Sequence, residues 1–236
     1  YEMCERDWSS DVCSSDLETG LSAVKGQGAA AEGLLRITMP GSFGRMYIIP
    51  ALADFHARHP LVSLDLRLSD TVLDVVEGAY DLIIRNAPLV DSSLIVRQLA
   101  ADRRLLVASP TYLEQHGSPT TPDDLTKHQC VSLAEATKWK FANGQTVSVP
   151  RSFVVNDGEA LRKILEQGMG IGIKSVWNAS ASLKSGLLVE VLPDFPLVTE
   201  ASIWLLYPSR RIIPQKVHAM IDFLLERFQP VPPWEF

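Results

Sequence analysis

Polar side chains that could bind a small ligand lie directly after the predicted strands of this chain. In open α/β sheets, ligands bind beyond the carboxyl ends of strands, where loops meet helix N-termini that offer amide groups. By this rule the candidate binding residues are Gly41, Ser42, Phe43, Arg85, Asn86, Asn156 and Asp157. Met169 is expected to border the same cleft. Because hydroxyl, guanidinium and helix-terminal amide groups hold carboxylates, we expect the binding of a small organic anion.

Several of these positions also have a purely structural interpretation. Ser42 is placed to cap the following helix, and Arg85 could form an ion pair with Asp81 or Asp91 instead of contacting a ligand. The glycines in 168–172 follow a predicted helix and lead into a strand, which is the reverse of a dinucleotide-binding fingerprint. These glycines indicate a helix end with close backbone packing. For Ser42 and Arg85, both the ligand-binding and the structural interpretation stay open.

Patterns for catalysis or metal binding are absent from the sequence. The five histidines are scattered, and His56 and His59 lie three residues apart without a nearby third ligand. No G-x-S-x-G elbow, H-E-x-x-H motif or P-loop occurs. Cys130 stands alone in an apolar context and is predicted to be a buried hydrophobe. We therefore expect no catalytic residue, no metal site, no cofactor and no enzymatic activity.

The composition is that of a protein that folds around a substantial core. The 236 residues are 46% hydrophobic, which suits one large domain or two small lobes. No run of about 18 apolar residues or signal-peptide pattern occurs, so we expect a cytoplasmic protein without membrane contact. The net charge of −6 argues against this chain alone holding nucleic acid by phosphate neutralisation.

The first 17 residues differ from the rest of the chain. Residues 6–17 resemble the translation of a common sequencing-library adaptor, and their Ser/Asp-rich composition fits no packed element. We expect residues 1–17 to be an artefact without order that replaces a natural N-terminus. Residues 18–33 are small and glycine-rich, as expected for the remnant of a linker.

From Leu34 onwards, short apolar runs alternate with amphipathic runs of helix length, which predicts βα units around a largely parallel sheet. The predicted strands are 34–39, 62–68, 81–85, 94–99, 105–108, 153–155, 171–174, 187–191 and 203–207. The predicted helices are 45–59, 72–78, 157–167, 176–183 and 214–228, with a turn at Pro40-Gly41. Val217, Ile221, Leu224 and Phe228 form an apolar stripe on the last helix.

Five segments together resemble the effector-binding domain of LysR-type transcription regulators. They are 34–70, 80–100, 105–130, 155–173 and 183–193, and they include PGSFGRMYIIPALADFHARHP and VNDGEALRKILEQGMGIGI. No single segment is decisive, but their order and spacing are specific, and the resemblance covers essentially all of 34–228.

The resemblance implies an α/β fold of two Rossmann-like lobes joined by two crossover strands, like a type II periplasmic binding protein. A small-molecule effector would bind in the cleft between the lobes. By the same resemblance, lobe I would comprise 34–108 and 208–229, lobe II would comprise 109–207, and 230–236 would be a tail. Ser109-Pro110 and Tyr207-Pro208 would mark the crossings.

The family also implies partners. Its members carry an N-terminal winged helix-turn-helix and a linker helix, and this sequence departs from that pattern because both are missing. We expect DNA binding only through that missing domain. We also expect a homodimer or tetramer in which the helix 45–59 packs antiparallel to the C-terminal helix of a second chain. The alternative is a periplasmic solute-binding protein of an ABC transporter, which has the same two-lobed fold, but the LysR-like segments favour the regulator.

Overall fold

The chain forms two five-stranded sheets and a two-stranded hairpin in a computed structural model, which describes residues 30–69, 80–88, 94–134, 136–209 and 213–235. The two sheets agree with the predicted two-lobed α/β architecture. Residues 1–29, the predicted helix 72–78 and Asp91 lie outside the described residues.

The first sheet contains four consecutive strands and one that returns from the second lobe. They are β1 (Gly33–Met39), β2 (Val62–Leu68), β3 (Leu82–Pro88), β4 (Leu94–Ala101) and β12 (Ala201–Pro208), in the spatial order β2-β1-β3-β12-β4. β1 pairs in parallel with β2 and β3, whereas β12 runs antiparallel to β3 and β4. Leu35, Ile37 and Met39 alternate along β1 and are fully buried, as one core-facing side of a strand requires.

The first helix starts earlier than predicted. A continuous helical run over 41–58, here called α1, joins Gly41–Phe43, a π-helical turn Gly44–Ile48, a 3₁₀ turn Ile49–Ala51 and the α-helix Leu52–Arg58. Pro40 is extended, with φ −58° and ψ 136°, and precedes the helix directly. The predicted turn at Pro40-Gly41 is therefore wrong, because Gly41 is already helical.

The second sheet and its helices come from the middle of the chain. Its strands are β5 (Arg104–Ala108), β6 (Cys130–Leu133), β9 (Phe153–Val155), β10 (Ile171–Ser175) and β11 (Val189–Val191), in the order β11-β5-β10-β6-β9. The hairpin is β7 (Lys138–Lys140) with β8 (Thr146–Ser148). The helices are α2 (Pro110–His116), a 3₁₀ helix (Pro122–Lys127), α3 (Gly158–Glu166) and α4 (Val176–Lys184).

The sheet pairing corrects the predicted lobe boundaries. β5 pairs with β10 and β11 in the second sheet, so 104–108 does not belong to the first lobe. β12 pairs with β3 and β4 in the first sheet, so 201–207 does not belong to the second. The chain crosses between the sheets at 102–103 and 192–200, rather than at Ser109-Pro110 and Tyr207-Pro208. Apolar runs of this length show that a strand forms, but not which sheet it joins.

The C-terminal helix α5 (Gln215–Phe228) confirms the predicted stripe. Its residues Val217, Ile221, Leu224 and Phe228 are all buried in the core of the first lobe. The segment 230–236, predicted to be a tail, contributes Trp234 to the same core. Trp234 is only 1% exposed, so this segment belongs to the first lobe up to that residue.

The two faces of the second sheet carry different cores. Leu106, Ala108 and the partly buried Ile173 pack on the hairpin side. Val107 packs on the opposite side with Leu161 of α3. Because side chains alternate along β5 and β10, successive residues of each strand lie on opposite faces of the second sheet. Only those on one face can contact a given side of the junction between the lobes.

Candidate functional site

A buried polar network lies where the chain crosses between the sheets. The Asp102 side chain is fully buried, and its Oδ2 accepts hydrogen bonds from Arg104 Nε (2.9 Å) and Ser175 Oγ (3.1 Å). With its amide oriented to satisfy both neighbours, Asn86 donates to Asp102 Oδ2 (3.2 Å) and accepts from Trp177 Nε1 (3.1 Å). These bonds connect β3, the crossing and the second sheet, so Asn86 holds the junction between the lobes.

Lys174 is a candidate site residue that the sequence patterns did not predict. It lies on β10, is 5% exposed, and its Nζ donates to the carbonyl oxygen of Gly158 at 2.5 Å. A methyl group on the Gly158 α-carbon would lie 3.7 Å from Lys174 Nζ and 4.0 Å from Ser42 Oγ. An ammonium group of the second lobe and a hydroxyl of the first therefore meet at Gly158. The available signal was a lysine within the otherwise apolar run 171–174.

Burial controls the charge of Lys174. Burial, with the positive charge of Arg162 second, lowers the pKa of the Lys174 ammonium group from 10.5 to about 8. The carboxylates of Asp157 and Asp102 act in the opposite direction. At neutral pH the group is mainly a cation with little solvent around it, so an incoming carboxylate would compensate a charge that the protein solvates poorly.

The N-termini of two helices, α1 in the first lobe and α3 in the second, flank Ser42 and Lys174. Ser42 lies in the first turn of α1 and is buried. Asp157 caps α3, because its Oδ1 accepts from the amide of Ala160 at 2.7 Å. The amides of a first helical turn have no acceptor within the helix, and the helix dipole favours negative charge there. Asn156 is exposed beside them.

Arg85 lies on the first sheet and is half-buried. Its guanidinium donates to the carbonyl oxygen of Ile84 (3.1 Å) and to Thr38 Oγ1 (3.5 Å). Of its two predicted ion-pair partners, Asp81 forms a salt bridge with Lys216 (3.2 Å), and Asp91 lies outside the described residues.

Phe43, one of the predicted site residues, lies in the core of the first lobe. Phe43 is fully buried in the first core, where it packs against Tyr47, Trp177, Phe228 and Trp234. It therefore supports the site from behind and offers no surface to a ligand.

Met169 precedes the amino end of β10, whereas Lys174 and the crossing lie at the carboxyl end of that strand. The structure therefore places Met169 at the opposite end of β10 from Lys174. Gly168 and Gly170 next to it have φ values of +76° and +146°. A side chain at Gly170 would come within 2.6 Å of Gln129 O, which confirms the close backbone packing predicted for these glycines.

The two lobes touch along one side of the junction. Tyr47 of α1 donates its hydroxyl to the carbonyl oxygen of Trp177 (2.5 Å). Arg45 forms a salt bridge with Glu159 of α3 (3.1 Å), but both side chains are more than a third exposed, so this bridge contributes little. The hydrogen bond and ring contact between the half-buried Tyr47 and the buried Trp177 connect α1 with α4.

The described residues contain no group of three His, Cys, Asp or Glu side chains that could hold a metal ion. Cys130 is buried as predicted, and burial raises the pKa of its thiol to about 12. Within the same residues, no helix has the length and apolar character needed to cross a membrane.

Two α/β lobes that meet at a polar, partly enclosed junction define a two-lobed ligand-binding domain. Residues 28–229 match the LysR substrate binding domain, and the chain belongs to this family of transcription regulators. It is the effector-binding domain of a LysR-type regulator, and its fold is like that of type II periplasmic binding proteins.

Known relatives agree with this assignment. The probable HTH-type transcriptional regulator LtrA of Klebsiella pneumoniae is 33% identical over 221 residues, which are 89% of this chain and 72% of LtrA. The regulatory domain of CrgA from Neisseria meningitidis has 27% identity and a TM-score of 0.75, covering 83% of this chain and 98% of that one. The full-length Vibrio cholerae virulence activator AphB has 29% identity and a TM-score of 0.75, covering 91% of this chain and 76% of AphB.

Proposed function

We propose that this domain senses a small organic anion bound between Ser42, Lys174 and the N-termini of α1 and α3. The observation that carries the proposal is the meeting of a buried ammonium group and a hydroxyl from different lobes at Gly158. Asn156 and Asp157 would form the rim of the site, and Arg85 would act from the first sheet. An effector there contacts both lobes, so it can favour one arrangement of the lobes over another.

In the whole protein, this bias would change how a dimer or tetramer engages DNA through an N-terminal helix-turn-helix. The kinship with transcription regulators supports this role, a cytoplasmic location and the lack of enzymatic activity. It does not favour the solute-binding protein of a transporter. The proposed dimer packs α1 of one chain antiparallel to α5 of another, and sedimentation velocity at rising concentration tests it. A monomer at all concentrations would contradict the dimer.

A thermal-shift screen of the chain against small carboxylic acids tests the proposed site. A ligand at about 100 times its Kd stabilises the fold by about 2.7 kcal/mol, which corresponds to a rise of roughly 5–10 °C in Tm for a domain of this size. Ser42→Ala, Arg85→Ala and Lys174→Met should remove the response. Lys127→Met, which removes an exposed charge from the 3₁₀ helix, should leave it unchanged.

The pH dependence gives a second test. An anion that binds the ammonium form of Lys174 should bind with constant affinity below pH 8 and weaken by up to about tenfold per pH unit above it. If the responding acid acts equally on the parent and on all three site variants, the proposed site is wrong.

A further inference from the structure

Two histidines flank a buried tyrosine at the end of the second sheet that lies away from Lys174. Tyr112 of α2 is fully buried, and the His116 ring stacks on it, with 4.4 Å between the ring centres and 16° between the planes. The half-buried His128 ring lies 5.8 Å from the same tyrosine ring. His128 comes just before the amino end of β6, whereas Lys174 lies near the carboxyl end of the parallel strand β10. This tyrosine–histidine cluster is therefore outside the proposed effector site.

The hydrogen bonds of the Tyr112 hydroxyl decide where the protons of His128 lie. Burial raises the pKa of the Tyr112 phenol from 10.0, so the hydroxyl keeps its single hydrogen at neutral pH. Its oxygen accepts from the backbone amide of Gln129 at 2.9 Å, and an amide N–H can only donate. The hydroxyl hydrogen is then directed to the other partner, His128 Nδ1, at 3.1 Å. In this arrangement Nδ1 is the acceptor, so the ring is neutral and carries its hydrogen on Nε2.

A second proton on His128 is incompatible with this arrangement. Protonated Nδ1 becomes a donor, so the Tyr112 hydroxyl would face two donors and its own hydrogen would lose its acceptor. Tyr112 lies in the apolar core on the hairpin side of the second sheet, where an unpaired polar hydrogen is costly. The bond between the two side chains therefore requires a neutral His128.

The groups around His128 act on its charge in both directions. Burial lowers the pKa of His128 from 6.5, and the positive charge of His116 lowers it further. On the 3₁₀ helix, Asp124 raises this pKa and Lys127 lowers it, and these two form a salt bridge with each other (3.4 Å). The Cys130 thiol of β6 contacts the His128 carbonyl oxygen (3.8 Å) and is uncharged, because burial raises its pKa to about 12. The folded chain thus favours the neutral ring.

The cluster connects two helices to the starts of two strands. The amide of His128 donates to the Leu125 carbonyl oxygen of the 3₁₀ helix (3.2 Å). The next residue, Gln129, donates to Tyr112 of α2 and accepts from the Ile171 amide at the start of β10 (2.9 Å). We propose that the tyrosine–histidine cluster is an acid switch: when His128 takes up a second proton, its bond to Tyr112 breaks, and α2 and the 3₁₀ helix loosen from the starts of β6 and β10.

Titration of the histidine rings tests the first half of the switch on the full chain without any ligand. Long-range ¹H–¹⁵N NMR spectra of histidine-labelled protein report the tautomer and the protonation of each ring, and His128→Asn assigns the signal. We expect the Nε2–H tautomer for His128 and a titration midpoint below 6.5. Tyr112→Phe removes the hydroxyl and keeps the aromatic ring, so it should raise the midpoint.

Hydrogen exchange followed by mass spectrometry tests whether protonation loosens the lobe. The variant His128→Asn keeps a side-chain oxygen that can accept from Tyr112, but it cannot titrate. At pH 7.5, peptides from 110–129 should exchange equally in the parent and in this variant. At pH 5.5, they should exchange up to about tenfold faster in the parent, because one pH unit below 6.5 shifts the opening equilibrium by at most about that factor. His218→Asn, at an exposed histidine of α5, should behave like the parent at both pH values.

Three results would overturn the inference. A His128 ring with its hydrogen on Nδ1, or a midpoint at or above 6.5, would show that Tyr112 does not hold the ring neutral. Equal exchange of the parent and His128→Asn at pH 5.5 would show that protonation releases neither helix. Faster exchange of the parent throughout both lobes would indicate general unfolding in acid in place of a local switch.

Discussion

Replacing Lys174 with methionine should make the unliganded domain more stable while removing effector binding. Between the unfolded and folded chain, the pKa of Lys174 falls from 10.5 to about 8. At about 1.4 kcal/mol per pH unit, the buried ammonium form costs about 3 kcal/mol at neutral pH. Methionine removes that cost but leaves the Gly158 carbonyl without its donor, a loss of about 1–2 kcal/mol. We expect a net gain of about 1–2 kcal/mol at pH 7.

The sign of the pH dependence makes this prediction specific. Because the folded-state pKa is lowered, the unfolded chain holds the proton of Lys174 between about pH 8 and 10.5 while the folded chain does not. The parent should therefore gain stability through this window, and Lys174→Met should lack that gain. Urea unfolding at pH 7, 8.5 and 10 measures the difference. Lys163→Met, at an exposed lysine, should show the same increase in unfolding free energy with pH as the parent. If Lys174→Met also shows that increase, the reasoning is wrong.

Three further predictions concern stability and reactivity. Trp234→Ala should cost about 3–5 kcal/mol in urea unfolding, because it leaves a large cavity beside Phe43 in the first core; a cost below about 1 kcal/mol would show that the segment is a tail after all. Asp157→Ala should cost about 1 kcal/mol through loss of the α3 cap, and Asp157→Asn, which keeps an acceptor, should cost less. Cys130 should resist a thiol reagent at pH 8 in the folded chain and react after unfolding; equal rates in both states would contradict its burial.

The sequence predicts most elements because their signals are local. The spacing of Val217, Ile221, Leu224 and Phe228 predicts α5 without any tertiary information, since the helical period brings them to one face. Asp157 likewise lies directly before its helix, where a cap must be. The start of α1 was missed because Gly41 and Pro40 also suit a turn. In the helix the Pro40 carbonyl oxygen accepts from the Gly44 amide (2.9 Å); in a turn the same oxygen would also be the acceptor, so the sequence does not distinguish the two.

The candidate site was only partly predictable. The rule that ligands bind at the carboxyl ends of strands led to Ser42, Asn86 and Asp157, which do lie at the junction of the lobes. The same rule included Phe43, whose apolar ring is buried because the core of the first lobe lies directly beneath the first turn of α1. A rule based on chain position cannot tell on which side of a helical turn a side chain points.

By itself, the sequence determined the stripe of α5 and the cap of α3, because each depends on residues close together in the chain. It also determined the α/β class and the family, because both follow from the order of segments along the chain. Only the tertiary structure decided that β5 lies in the second sheet and β12 in the first, that Trp234 completes the first core, and that Lys174 and Ser42 both approach Gly158. Ser42 and Lys174 are far apart in sequence, and no local periodicity connects them. Their meeting, and the low pKa of the lysine, follow from how the two lobes pack and exclude water at the junction.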